Sequence, residues 1–238
     1  MSEQSKLDYI EQNGHKFIHV STISTAAANE QFMRNVQLVQ QQRQALVSLN
    51  RILSPEEKAA IATQLKNREE NLNKNNAEMA KAYGFSLARD YVHQLVRTRV
   101  FLKLTEEEYA KAKGDSSIPS DHLLVKGDTK YRLISEIPTA DANDQFRHNV
   151  QVMQALRNRV VALRDSVAKM PEGDAKAKAQ EELKKQAESL EENNKQMVAK
   201  YGFSLARDYL MEVVESKLYT RVNEEEFLKA SQKAAEAN

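Results

Sequence analysis

A hydroxyl, a guanidinium, a carboxylate and a phenol occur within six residues at Ser86, Arg89, Asp90 and Tyr91, and again at Ser204, Arg207, Asp208 and Tyr209. Each set lies in the stretch YGFSLARDY, which runs from Tyr83 to Tyr91 and returns, unchanged in all nine positions, from Tyr201 to Tyr209. Arg can take a carboxylate or phosphate through two parallel hydrogen bonds. With a carboxylate and a phenol beside it, it suits a planar or anionic ligand. Arg89, Asp90 and Tyr91, with Arg207, Asp208 and Tyr209, are therefore the candidate ligand-binding residues. No His or Lys stands in either stretch to draw a proton from Ser86 or Ser204, so neither hydroxyl is set up as a nucleophile.

A structural role competes for the same residues. Gly84 and Gly202 stand where a long helix would stop in a left-handed residue, a conformation Gly adopts without a Cβ penalty. Phe85 and Phe203 would then fold back on the last turn, and Ser86 and Ser204 would cap a following short helix. On this reading Gly84, Phe85, Ser86, Gly202, Phe203 and Ser204 form a junction. Arg89 and Asp90, pointing to different sides, then need separate partners, which the interface between the two copies could supply. The junction needs fewer assumptions than a ligand site and is preferred.

Other chemistry is sparse. Cys is absent, which removes disulfides, thiolate metal sites and thiol nucleophiles. The five His have no His at the equivalent position of the other copy: His19 aligns with Leu133, His93 with Met211 and His148 with Arg34. A duplicated His-based metal or acid/base site is disfavoured. No phosphate loop, HExxH, GxSxG or EF-hand pattern is present, so no cofactor, metal or catalytic residue is expected. The EEE triplets at Glu106 and Glu224 read as helix starts. HQLVRTRVFLK, from His93 to Lys103, is locally basic, but its aligned counterpart MEVVESKLYTR is mixed in sign. An edge built on Arg97, Arg99 and Lys103 is thus disfavoured as a nucleic-acid surface.

The elements that must position these residues come in two rounds. Lys16 to Leu53 aligns with Lys130 to Val167 at about sixteen of thirty-eight positions, and Asn71 to Lys113 aligns with Ser189 to Ser231. The chain reads as a tandem duplication, with repeat 1 spanning 1–114 and repeat 2 spanning 115–238. In each, strand-like segments flank a turn, Asn13-Gly14 or KGDT, and suggest a β-hairpin. A long apolar stripe follows, with Phe32, Val36, Val39 and Leu46 in repeat 1 and Leu156, Val160, Leu163 and Val167 in repeat 2. SPEE at Ser54 has the form of a capping box for a second helix. Asn75 and Asn193 interrupt the stripe of that second helix.

The expected fold is mainly α with a small β component (α+β). Each copy would carry a β-hairpin, a long antiparallel coiled-coil helical hairpin, a short helix over Ser86 to about Arg97, a strand and a terminal helix capped by Thr105 or Asn223. A pseudo-twofold would relate the copies, and their strands could share one β-base.

With 29% charged residues, a formal net charge of +1 and six Gly and four Pro in 238 residues, the composition favours charged helices and gives no overall field for nucleic acid or anionic lipid. There is no apolar leader in MSEQSKLDYIEQNGHKF and no membrane-length apolar run. A soluble, cytoplasmic protein is expected. The function expected first is a non-enzymatic structural or protein-interaction protein, a scaffold, spacer or chaperone-like clamp with a protein partner or with itself. A ligand-binding protein or enzyme with two equivalent sites at the YGFSLARDY repeats comes second, and nucleic-acid binding through the basic edge third.

Overall fold

The computed structural model describes residues 7–236. Strands β1 (Tyr9–Gln12) and β2 (His15–Ile23) join through Asn13 and Gly14, whose φ values of 52° and 75° are those of a two-residue hairpin turn. Helix α1 (Ala26–Ile52) starts at Thr25, whose hydroxyl accepts the Ala28 N–H at 3.2 Å. Helix α2 (Pro55–Ala60) starts in the SPEE capping box: the Glu57 N–H donates to the Ser54 hydroxyl at 3.2 Å, and the Ser54 N–H donates to the Glu57 carboxylate at 2.7 Å. A break at Ile61 precedes α3 (Ala62–Tyr83), which ends on Gly84 at φ 68°. Strand β3 (Tyr91–Leu104) leads to α4 (Glu106–Gly114). The second half repeats this order: β4 (Leu123–Lys126), β5 (Thr129–Ile137), α5 (Ala140–Ala168), α6 (Asp174–Tyr201), β6 (Tyr209–Val222) and α7 (Glu224–Glu236).

The strands are hydrogen-bonded in the order β1-β2-β6-β3-β5-β4. Strand β2 is antiparallel to β1 and β6, and β5 is antiparallel to β3 and β4.

The chain divides into two compact units. Unit 1 takes the residues up to Val96 and those from Val213 onward, hence β1, β2, α1 to α3, the start of β3, most of β6, and α7. Its core is Ile23, Phe32, Val39, Met79, Phe85 and Leu218. Unit 2 runs from Arg97 to Glu212 and centres on Val100, Ile137, Phe146, Met153, Met197, Tyr201 and Phe203. Repeats are defined in sequence and units in space. Each unit holds the first part of one repeat, with its YGFSLARDY junction, and the end of the other.

The expected fold class is corrected. In place of a small β component there is a six-stranded sheet, with β3 and β6 of 14 residues each. The short helix expected from Ser86 does not form: a turn occupies this region and Tyr91 already begins β3. Leu87 and Tyr91, four residues apart, would share one face of a helix, but Val92, Val96, Thr98 and Val100 suit a pleated strand once a partner strand supplies hydrogen bonds. A long coiled-coil helical hairpin, duplicated, is not shown either. A coiled coil needs two buried apolar positions per heptad. In α1 the buried apolar side chains are Phe32, Val39 and Leu46, one per heptad, and in α3 only Met79 is buried.

Candidate functional site

In unit 1, α3 stops at Gly84 because its left-handed backbone turns the chain, and the Gly84 N–H donates to the Ala80 carbonyl at 2.9 Å. Phe85 folds back over the core and stacks on Tyr91, ring centroids 4.8 Å apart. The Tyr91 hydroxyl clamps the turn: it accepts the Ser86 N–H at 2.8 Å and donates to the Gly84 carbonyl at 3.0 Å. The Ser86 hydroxyl accepts the Ala88 N–H at 3.3 Å, so it caps a turn where a helix was expected. Asn76, two helical turns back from the end of α3, takes the Leu87 N–H at 2.8 Å, and Arg43 of α1 donates to the Leu87 carbonyl at 3.3 Å.

Arg89 and Asp90 take separate partners, both from the end of repeat 2. The Arg89 guanidinium pairs with Glu226 at 2.9 Å, and the Asp90 carboxylate pairs with Arg221 at 3.2 Å while its carbonyl accepts the Arg221 N–H at 2.9 Å.

Unit 2 repeats the arrangement with the roles of the repeats exchanged. Gly202 has φ 65°, the Ser204 N–H donates to the Tyr209 hydroxyl at 2.8 Å, Phe203 packs on Tyr209 at 4.6 Å, and Asn194 and Arg157 hold Leu205. Arg207 donates to Glu108 at 2.9 Å and to the Lys103 carbonyl at 3.1 Å. Asp208 lies 3.5 Å from the Lys103 ammonium, and its carbonyl accepts the Lys103 N–H at 2.9 Å.

Glu108 and Glu226 each do two jobs. Each accepts the backbone N–H of its own N-cap, Thr105 at 2.9 Å and Asn223 at 3.0 Å, and each also takes the Arg of a junction. The amide of Thr105 and then Arg207 hold the Glu108 carboxyl below its ordinary 4.5, and the amide of Asn223 and then Arg89 do the same for Glu226. Hydrogen bonds to the ionised form are the cause.

The most buried polar groups were not singled out in the sequence. In unit 1 the Asn29 side chain donates to the carbonyls of Ile23 at 3.1 Å and Thr25 at 2.9 Å and accepts the Ser216 hydroxyl at 2.5 Å. In unit 2 Asn143 donates to Ile137 at 3.3 Å and Thr139 at 2.9 Å and accepts the Thr98 hydroxyl at 2.5 Å. All four residues are at most 1% exposed. The available signal was identity: Asn29 opens NEQFMRNVQ and Asn143 opens NDQFRHNVQ, which agree as NxQFxxNVQ, yet nothing local says what an Asn in a first helical turn will meet.

Two clefts in unit 1 reach the candidate residues. One, of about 390 Å³, is lined by Arg89, Asp90, Tyr91 and His93 together with Phe32, Phe85 and Arg43. The other, of about 530 Å³, is lined by Arg89, Asp90, His15, Lys16, Arg221 and Glu224, and its charges pair with one another: Lys16 with Glu224, Arg89 with Glu226, Arg221 with Asp90. On the basic edge, Arg97 is exposed, Arg99 pairs with Glu136 at 2.7 Å and Lys103 with Asp208. Among the described residues no cluster of three metal-binding side chains occurs, and no helix is long and apolar enough to cross a membrane. Compared with protein-family models, curated proteins and solved structures, the chain has no match.

Proposed function

We propose that this is a non-enzymatic structural or protein-interaction protein, acting in the cytoplasm through association with a protein partner or with itself. One observation carries the reading: the nine residues that stayed identical in both repeats hold their own turn and grip the end of the other repeat. In both junctions the Tyr hydroxyl closes the turn, and the Arg takes the capping Glu of a terminal helix. A shared ligand is not needed to account for any of these side chains.

A second reading, ligand binding, is favoured by the aromatic-lined cleft that Arg89, Asp90 and Tyr91 border in unit 1. Substitution separates the two. On the structural reading Arg89→Ala and Arg207→Ala each lower the melting temperature by up to about 2–4 °C, the ceiling for a half-exposed ion pair, and the pair by about the sum, since the two sites share no partner. An unchanged melting temperature with loss of binding to a small anionic aromatic probe would move the assignment to the ligand site. For the interaction itself, light scattering across concentration and saturable binding of an identified protein are the measurements. A strictly monomeric chain with no saturable protein partner would sink the proposal.

A further inference from the structure

The contacts that close each unit join the two repeats, and they come in matched pairs. In unit 1 Asn29 of repeat 1 holds Ser216 of repeat 2, and in unit 2 Asn143 of repeat 2 holds Thr98 of repeat 1, both at 2.5 Å. Arg89 with Glu226 is answered by Arg207 with Glu108, both at 2.9 Å. The Arg221 N–H to the Asp90 carbonyl is answered by the Lys103 N–H to the Asp208 carbonyl, again both at 2.9 Å. Lys16 pairs with Glu224 and lies over the Phe227 ring at 4.2 Å, as Lys130 pairs with Glu106 and lies over Tyr109 at 5.1 Å.

In every pair, one side comes from the first part of a repeat and the other from the end of the other repeat. At aligned positions the residue types agree: Asn with Asn, Ser with Thr, Glu with Glu, Arg with Lys, Phe with Tyr. The groups that repeat 1 needs from Ser216, Glu224, Glu226 and Phe227 are therefore carried by its own end, at Thr98, Glu106, Glu108 and Tyr109. A single repeat cannot reach its own end this way, because β3 runs on from the junction as one unbroken strand of 14 residues.

We propose that recognition between repeats is homotypic, so that the partner this protein recognises is a second copy of its own chain. A repeat 1 accepts the end of another repeat 1 in place of the end of repeat 2, with Asn29 on Thr98, Arg89 on Glu108 and the Lys103 N–H on the Asp90 carbonyl. Within one chain the tether holds the two repeats at an effective concentration of about millimolar, with which a second copy must compete, so exchange between chains rises with concentration. Without the tether, the choice of partner follows the contacts alone.

This rests on the interaction reading and gives it a partner. The test keeps every residue of the chain. A protease recognition sequence is inserted between Ser116 and Ser117, the folded protein is cut, and chains tagged at repeat 1 are mixed with untagged cut chains, loosened in urea and diluted. The cut species is expected to run at the mass of the uncut chain, 27.1 kDa before insertion. The tag is expected to recover untagged repeat 1 alongside repeat 2. Glu226→Arg, which removes the carboxylate facing Arg89 in repeat 2 and leaves Glu108 in place, should raise the share of untagged repeat 1 recovered. Recovery of repeat 2 alone, or separation into free repeats after cutting, overturns the proposal. The interaction reading stands or falls separately, on light scattering and saturable binding of the uncut chain.

Discussion

At the scale of single residues, buried amides matter more than the exposed ion pairs. Arg89 and Glu226 keep 47% and 40% of their side chains exposed, where solvent screens a charge pair strongly. Asn29 and Asn143 are 1% and 0% exposed, and the Ser216 and Thr98 hydroxyls they accept belong to residues 0% exposed, which have no water to fall back on. Asn29→Ala would leave the Ser216 hydroxyl and the carbonyls of Ile23 and Thr25 without that amide and should cost about 1–3 kcal/mol in urea unfolding. Ser216→Ala in the Asn29→Ala background should cost less than Ser216→Ala alone, because the two share one hydrogen bond. Strict additivity would mean that the 2.5 Å contact contributes no coupling. Asn143 with Thr98 should behave alike.

Secondary-structure elements begin and end here on signals that are partly local. Gly84 and Gly202 end α3 and α6 in the left-handed region, and an added Cβ would come 3.3 Å from the Val20 Cβ at Gly84 and 3.4 Å from the Ile134 side chain at Gly202. Gly84→Ala should therefore destabilise by roughly 1–2 kcal/mol, the cost of a left-handed L-residue, measured by urea unfolding. At the starts of α4 and α7, the folded values of Glu108 and Glu226 lie below the ordinary 4.5. As pH falls the unfolded chain takes up these protons first. The stabilisation from the two carboxylates is thus complete above the ordinary value and is lost as pH drops through the lower folded values. Combining Arg89→Ala with Arg207→Ala removes one contributor to each shift, so the variant's melting temperature should fall less steeply than that of the parent between about pH 6 and 3. An identical slope would leave the Thr105 and Asn223 amides as the whole cause.

For the molecule as a whole, the order of elements within each unit is informative. Unit 2 is one continuous segment, in which the end of β3 and α4 lead through 115–122 into β4 and β5. In unit 1 the corresponding elements, β6 with α7 and β1 with β2, sit at opposite ends of the chain. Yet Tyr9 of β1 and Phe227 of α7 meet edge to face at 4.9 Å. A circular permutant that opens between Ser116 and Ser117 and joins residue 238 to residue 1 should fold with a melting temperature within roughly 2–4 °C of the parent, the shift that about 1 kcal/mol produces in a chain of this size. Failure to fold would show that the 115–122 connection organises unit 2.

Sequence by itself determined what depends on neighbours along the chain. The hairpin turn at Asn13 and Gly14, the capping boxes at Ser54 and Thr105, the Asn223 cap and the stops at Gly84 and Gly202 all follow from side chains and backbone within a few residues of one another. The internal duplication is equally a property of the letters. Tertiary structure decided what depends on partners about a hundred residues away or more. It turned Val92 to Arg97 from an expected helix into strand, because β6 supplies partners that no local pattern announces. It gave one buried apolar residue per heptad where a coiled-coil seam was expected. It also sent Arg89 to Glu226 and Arg207 to Glu108, pairings across 137 and 99 residues that could not be assigned until the strand ends had been placed.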